Sequence, residues 1–286
     1  MLLNDLLRIN NIDPKTVLVF RHCPEPQLNK VFPWLAAERP DLFNAYQESH
    51  GEKVEKAMQR AVYIASFIGH KPGKALFVGL YQIKGFKQIT REQFLNIKAN
   101  RELKSYGMEG ARRDAFLWFD LVLCDFYSEW KGKLIVTWPG LERSWWRWAD
   151  RNDIPVQSIV EENQLVENMP NWDQIDLSWS DLSLLPSNWK SALSQWRGIY
   201  YIFDASDGKG YIGSAYGEQN LLGRWMNYAS RGHGGNSLLR GRDPVNFQFT
   251  ILQRVSPDMD ATDVIGLEGS WKQRLHTRQP YGLNDN

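Results

Sequence analysis

Two glycine–tyrosine triplets constrain this chain more than any other feature. Gly198-Ile199-Tyr200 and Tyr211-Ile212-Gly213 flank the turn Asp204-Ala205-Ser206-Asp207-Gly208-Lys209-Gly210. Alternating aromatic and β-branched residues around a Gly/Asp turn predict two antiparallel strands of a hairpin. The two strands then each carry one tyrosine of the pair, near enough to serve one site.

The segments that follow add further polar residues in a definite order. Leu221-Leu222-Gly223-Arg224-Trp225 opens a helical stretch, and Tyr228, four residues after Arg224, shares its face. Phe247-Gln248-Phe249-Thr250-Ile251-Leu252 reads as a third, buried strand. The stretch from Leu267 to Leu275 reads as a second helix with Glu268 in its early turns, and Gly282-Leu283-Asn284 stands near the end.

Strand-strand-helix-strand-helix bearing Tyr, Tyr, Arg, Glu and Asn in that order resembles the GIY-YIG nuclease family over residues 197–286. The resemblance implies a three-stranded antiparallel sheet flanked by helices, with Tyr200, Tyr211, Arg224 and Glu268 in a catalytic centre. It also carries over Tyr228, where family members have Tyr or His near the nucleophile or leaving group. Asn284 matches a C-terminal Asn that the family places by the site. Family members usually use the first tyrosine as base and the second for a supporting hydrogen bond, but assignments differ, and the roles here are open.

The residues themselves suit that chemistry. Phosphodiester hydrolysis needs an activated water, neutralisation of charge on the phosphorane and stabilisation of the departing oxygen. One carboxylate with few acidic neighbours suits a single Mg²⁺, which keeps most of its waters, so Glu268 is the expected metal ligand. A two-metal site would need several carboxylates. Arg224 offers a planar fork of donors for the scissile phosphate. Tyr200 and Tyr211 can orient the water, but a phenol near pKa ~10 must be lowered before it acts as a base at neutral pH. From Gln219 to Arg242 there is no acid, and Arg231, Arg240, Arg242 and the loop residue His233 are expected DNA contacts. Taken singly, each of these residues has an ordinary reading as a half-buried strand tyrosine or a solvated helix side chain. The ordered set carries the expectation.

At 286 residues the chain has room for two domains. The expected division is an N-terminal target-recognition domain at 1–165, a Trp-containing linker at 166–196 rich in Pro, Asn, Ser and Asp, and the nuclease-like domain at 197–286. The fold class is α+β, the first domain mixed. It opens with a helix from Leu2 to Asn10 and a strand from Val17 to His22, with helices from Leu35 to Tyr46 and Glu52 to Gln59. A β-rich part with Gly turns then suggests a small barrel or curved sheet. The run from Leu76 to Gly85 resembles barrels of the PUA superfamily, which includes readers of modified bases.

Trp118, Phe119, Tyr127, Trp130, Trp138, Trp145, Trp146 and Trp148 crowd that half. Most read as core, with one or two lining a pocket that could stack an extruded base. Arg143, Arg147 and Arg151 lie beside them, and Lys84, Lys87, Arg91, Lys98, Arg101, Lys104, Arg112 and Arg113 form a basic segment. These patches matter more than the net charge of +1.

No apolar run approaches the ~20 residues of a membrane span. The N-terminal segment lacks a signal-peptide pattern, and Cys23 and Cys124 suggest neither a disulfide framework nor a zinc site. A cytoplasmic location is expected. Together these readings predict a Mg²⁺-dependent DNA endonuclease whose first domain selects the target, as in restriction or modified-base-dependent defence. A structure-selective repair or recombination nuclease and an inactive nucleic-acid-binding protein are the alternatives. One site cuts one strand, so a double-strand break would take a homodimer on duplex DNA or sequential nicks.

Overall fold

The fold comes from a computed structural model that describes residues 1–109, 113–140, 144–218 and 220–285. The chain divides into two compact units, Met1–Glu167 and Asn168–Asn286. Both mix helices with sheet, and among the described residues no helix is long and apolar enough to cross a membrane.

The N-terminal unit runs α1 (Leu3–Ile9), β1 (Val17–His22), α2 (Pro26–Glu38), α3 (Pro40–Gln47), α4 (Glu52–Met58), β2 (Tyr63–Gly69), β3 (Lys74–Thr90), α5 (Arg91–Asn96), α6 (Lys98–Ser105), β4 (Ala115–Cys124), β5 (Leu134–Thr137), β6 (Trp146–Trp148) and β7 (Val156–Ile159). The single helix expected from Leu35 to Tyr46 is two, because Pro40 lacks an amide hydrogen and holds Arg39 out of the helical region (φ −131°, ψ 63°).

The seven strands pair in the order β6-β1-β2-β3-β5-β7, with β4 also paired to β3. β1 and β2 are parallel, as a crossover through α2, α3 and α4 requires. β3 is long enough to serve two partners. Its first half pairs with β2 and β5, and beyond the irregularity at Ile83/Gly85 it continues along β4. The strand path is open at β6 and β7, so this is a curved sheet and not a closed barrel.

Of the aromatics that crowd this half, Phe119 and Trp138 are buried, and Trp118, Tyr127, Trp130, Trp145, Trp146 and Trp148 are partly buried. Trp138 is buried with its indole N–H donated to the Ser144 carbonyl. Tyr127 and Trp130 stack on each other, ring centres 4.1 Å apart.

The C-terminal unit contains β8 (Asp176–Ser178), α7 (Ser187–Gln195), β9 (Arg197–Asp204), β10 (Lys209–Ala215), α8 (Asn220–Arg231), β11 (Phe247–Val255) and α9 (Ala261–Arg274). Its sheet has four antiparallel strands, ordered β10-β9-β11-β8, where three were expected. The fourth strand and α7 come from the stretch read as a linker. Ile175, Leu177, Leu182, Leu185, Trp189 and Leu193 are buried in this unit's core, so the segment is part of the fold. Three-residue strands escape sequence periodicity, which needs a longer window.

Two apolar clusters lie on the two faces of this sheet. α8 supplies Leu221, Trp225 and Tyr228 to the cluster holding Tyr200, Ile202 and Phe249. α9 supplies Val264, Leu267 and Trp271 to the cluster holding Ile199 and Ile212.

Candidate active site

The β9–β10 hairpin is set by its turn. The Asp204 carboxylate accepts from the amide and hydroxyl of Ser206, and the Gly208 amide returns to the Asp204 carbonyl at 2.9 Å. This is an Asx-type turn, with Gly208 in the left-handed region at φ +73°. The resulting register places Gly213 directly opposite Tyr200 and Tyr211 opposite Ile202. A side chain at position 213 would begin 2.3 Å from the Tyr200 hydroxyl oxygen, so glycine is what lets that ring lie across β10. At Gly198 an added Cβ would meet the Gln253 carbonyl oxygen at 2.3 Å, where β11 bulges between Ile251 and Gln253. Gly213 therefore answers to the Tyr200 ring and Gly198 to the backbone of β11.

Three phenols converge there. The ring centres of Tyr200, Tyr211 and Tyr228 lie 6.1–6.5 Å apart. The hydroxyls of Tyr200 and Tyr228 are hydrogen-bonded at 3.1 Å. Both side chains are buried, whereas Tyr211 is only partly covered. Burial, reinforced by Tyr211, pushes the Tyr200 phenol above the ordinary tyrosine range, although Arg224 and Tyr228 pull it back. Tyr228 is pushed up by burial and then by Tyr200 and Tyr211. Arg224, one helical turn before Tyr228, is exposed, and the neighbouring phenols, Tyr200 first, favour its charged form.

Glu268 reaches the hairpin from the other side. It lies in the middle of α9, not in its early turns, because the helix begins at Ala261. Its carboxylate accepts the hydroxyl hydrogen of Ser214, the residue after Gly213, and pairs at 2.7 Å with the ammonium of Lys272. Lys272 is buried. Glu268 is close enough to Tyr200 to disfavour its ionised form. Sequence reasoning missed Ser214 and Lys272; the i, i+4 spacing of Glu268 and Lys272 was the available signal.

Two expected site residues have other work. Asn284 is buried, and its side-chain amide makes a paired contact with one backbone residue: Nδ2 donates to the Ile212 carbonyl at 2.8 Å and Oδ1 accepts from the Ile212 amide at 2.9 Å. It mimics a neighbouring strand along the free edge of β10 and positions that strand between Tyr211 and Gly213. Arg242, read as a DNA contact, is bound to Asp204 at 2.6 Å and Asp207 at 2.9 Å. It clamps the hairpin turn. Arg231 and Arg240 are exposed, and His233 sits in the loop between them with Nδ1 accepting from the Gly235 amide.

In the N-terminal unit, Arg113 is tied to Glu55 at 2.5 Å and to the His50 carbonyl at 2.8 Å, which removes it from the basic segment. Arg91, Lys98, Arg101 and Lys104 are exposed. Arg147 bonds Asn152 at 3.2 Å and lies over the Trp138 ring. Arg112 and Arg143 lie outside the described residues.

Among the described residues no three His, Cys, Asp or Glu side chains gather as a metal cluster. A single Mg²⁺ needs less, since it retains waters and is commonly held by one or two carboxylates. A carboxylate has about four lone-pair directions. Ser214 and Lys272 occupy one on each oxygen, so Glu268 has the capacity for one hydrated divalent ion. Comparisons with family models, with curated proteins and with solved structures each found no match.

Proposed function

We propose that the C-terminal unit hydrolyses phosphodiester bonds in DNA with one Mg²⁺ at Glu268, and that the N-terminal unit selects the target. The observation carrying this reading is the convergence of Tyr200, Tyr211, Tyr228 and Arg224 at β10, the strand that Glu268 grips through Ser214. Few structural needs call for three phenols around a guanidinium, and Glu268 reaches the same hairpin from the opposite face through Ser214.

The roles follow from burial and charge. Arg224, exposed and permanently charged, takes the non-bridging oxygens of the scissile phosphate. Tyr200 and Tyr228 stay protonated at neutral pH, so they act as hydrogen-bond donors and hold each other in place. Tyr211, the least covered phenol, is the one placed to meet the attacking water. Bound Mg²⁺ supplies Lewis-acid neutralisation of the phosphate charge. Lys272 holds the Glu268 carboxylate in position.

The test is incubation of the full chain and of Glu268→Gln and Arg224→Ala variants with unmodified, cytosine-modified and branched DNA, with and without Mg²⁺. Cutting that requires Mg²⁺ and is lost in both variants is the expected result. Glu268→Gln cutting as well as the parent, or no cutting of any DNA, would overturn the reading. The ranking of the three substrates separates a defence enzyme from a repair nuclease.

A further inference from the structure

Residues 277–284 form a fixed staple along the edge of β10. The Asn284 amide donates to the Thr277 carbonyl at 2.8 Å, and the Gln279 amide to the Asn284 carbonyl at 3.0 Å. Between them the Tyr281 and Gly282 amides both return to the Arg278 carbonyl at 3.0 Å, which closes a tight turn. The Leu283 amide then donates to the Gly210 carbonyl at 2.9 Å. The Leu283 side chain is buried in the cluster that Tyr200, Tyr211 and Tyr228 share.

This staple holds one ring out to solvent. Tyr281 is 78% exposed, more than any other large apolar or aromatic side chain among the described residues. Its backbone is already ordered by the bonds on either side, so little further ordering opposes a flat partner that stacks on it.

The staple also fixes how far the ring stands from the site. Two residues of chain reach at most about 7 Å, and Leu283 is bonded to the residue before Tyr211. The Tyr281 backbone therefore lies within roughly 15 Å of the Tyr211 backbone. That is about four steps at the ~3.4 Å spacing of stacked bases.

The surroundings are cationic. The Lys209 ammonium lies 3.4 Å from the carbonyl of Pro280, the residue before Tyr281. The loop bearing the exposed Arg231 and Arg240 is fastened to the staple at two points. Asn236 donates to the Leu283 carbonyl at 3.3 Å, and the Ser237 hydroxyl donates to Asp285 at 2.7 Å. Asp207, the other acid near this end of β10, is paired with Arg242. Cations around a bare ring suit a polyanion that carries flat bases. Inside an intact duplex each base is covered by its neighbours, so the base that meets Tyr281 is an unpaired one.

We propose that Tyr281 stacks on an unpaired base within about four nucleotides of the scissile phosphate, which makes DNA with a single-stranded branch the substrate class of this site. The proposal deepens the nuclease reading above and rests on it.

The test uses the full chain without Mg²⁺, a matched duplex and a branched duplex. The fluorescent base 2-aminopurine is placed at each unpaired position of the branch in turn. The parent should quench it at one position at least, Tyr281→Phe should keep that quenching, and Tyr281→Ala should lose it. Tyr281→Ala should also weaken binding to the branched duplex at least about fivefold and leave binding to the matched duplex unchanged. The ring is exposed, so the variants keep the fold. Quenching retained in Tyr281→Ala, or equal affinity of parent and Tyr281→Ala for the branched duplex, overturns the proposal. Adding Mg²⁺ separates it from the nuclease reading. Tyr281-dependent quenching without cutting supports the stacking and sinks the nuclease, while branched DNA cut equally by parent and Tyr281→Ala does the reverse. A parent that binds neither DNA overturns both.

Discussion

Tyr200 and Tyr228 share a buried hydrogen bond between their hydroxyls, 3.1 Å apart, and this bond joins the sheet to helix α8 at the candidate site. Each hydroxyl has the other as partner in a place closed to water, so removing one strands its mate. Tyr200→Phe and Tyr228→Phe should each cost about 1 kcal/mol. The double variant should cost less than the sum, because the second change removes the stranded group. Urea unfolding of the four proteins measures this, and simple additivity would mean the bond contributes nothing.

Glu268 and Lys272 set up a competition. The ammonium already neutralises the carboxylate at 2.7 Å, and a divalent ion at Glu268 must share or displace it. Lys272→Met should therefore tighten Mn²⁺ binding at least about fivefold, since an opposing unit charge at ~4 Å is worth about 1 kcal/mol even at the dielectric of water. Titration followed by electron paramagnetic resonance reads this without any need for activity. Glu268→Gln leaves a buried ammonium without its carboxylate and should destabilise the fold by about 3 kcal/mol. Mn²⁺ affinity unchanged in Lys272→Met would place the ion elsewhere.

Asn284 acts on the site through the backbone. Its two bonds to Ile212 hold the edge of β10 between Tyr211 and Gly213. Asn284→Ala should lose about 2 kcal/mol of stability and speed hydrogen exchange at the Ile212 amide well beyond that at Ile202, which lies on the interior strand β9. A catalytic group would instead lower turnover and leave exchange untouched.

The arginines of the C-terminal unit should separate into two classes. Arg242 is held by Asp204 and Asp207: its guanidinium keeps the Asp207 carboxyl below the usual carboxylate range, and at Asp204 the upward push of burial is outweighed by hydrogen bonds from Ser206 and then from Arg242. A depressed carboxyl stabilises the fold above the unfolded pKa and loses that contribution as pH falls through the folded value. Arg242→Ala should cost about 3 kcal/mol near neutrality and flatten the acid limb of the stability profile. Arg231→Ala and Arg240→Ala should leave stability unchanged and each reduce the salt slope of DNA binding by about 1. Chemical unfolding and binding across a salt series give both readouts.

Much of the C-terminal unit was legible because its signals are local. The Gly/Asp turn, the run from Phe247 to Leu252 and the helices around Arg224 and Glu268 declare themselves through periodicity and turn chemistry. What was hidden depends on long-range pairing. Asn284 finds Ile212 across 72 residues, and Arg242 finds Asp207 across 35, distances over which a sequence pattern carries no geometry. β8 was hidden by its length and by its Pro- and Ser-rich surroundings. In the N-terminal unit the tryptophans drew attention by number, but a cavity of about 340 Å³ there is lined by Tyr46, His50, Phe94 and Phe116 among others.

The N-terminal unit should be sensitive to mild acid because of two histidines. Burial lowers His22 to about 3, aided by His50, and lowers His50 to about 4, against unfolded values near 6.5. The sign is fixed by which state binds the proton. Below about pH 6.5 the unfolded chain takes up protons that the folded unit refuses, so stability falls as pH drops toward 4. For His50 alone the full loss is roughly 3 kcal/mol. Glu48 works in the opposite direction, since burial and then Asp120 raise it to about 7, and its neutral form favours the fold as pH falls. His50→Phe keeps the ring and leaves Glu48 in place, so the comparison isolates the histidine. Thermal melting from pH 7.5 to 5 should show the parent losing stability more steeply than His50→Phe, and parallel curves would mean that His50 titrates normally in the fold.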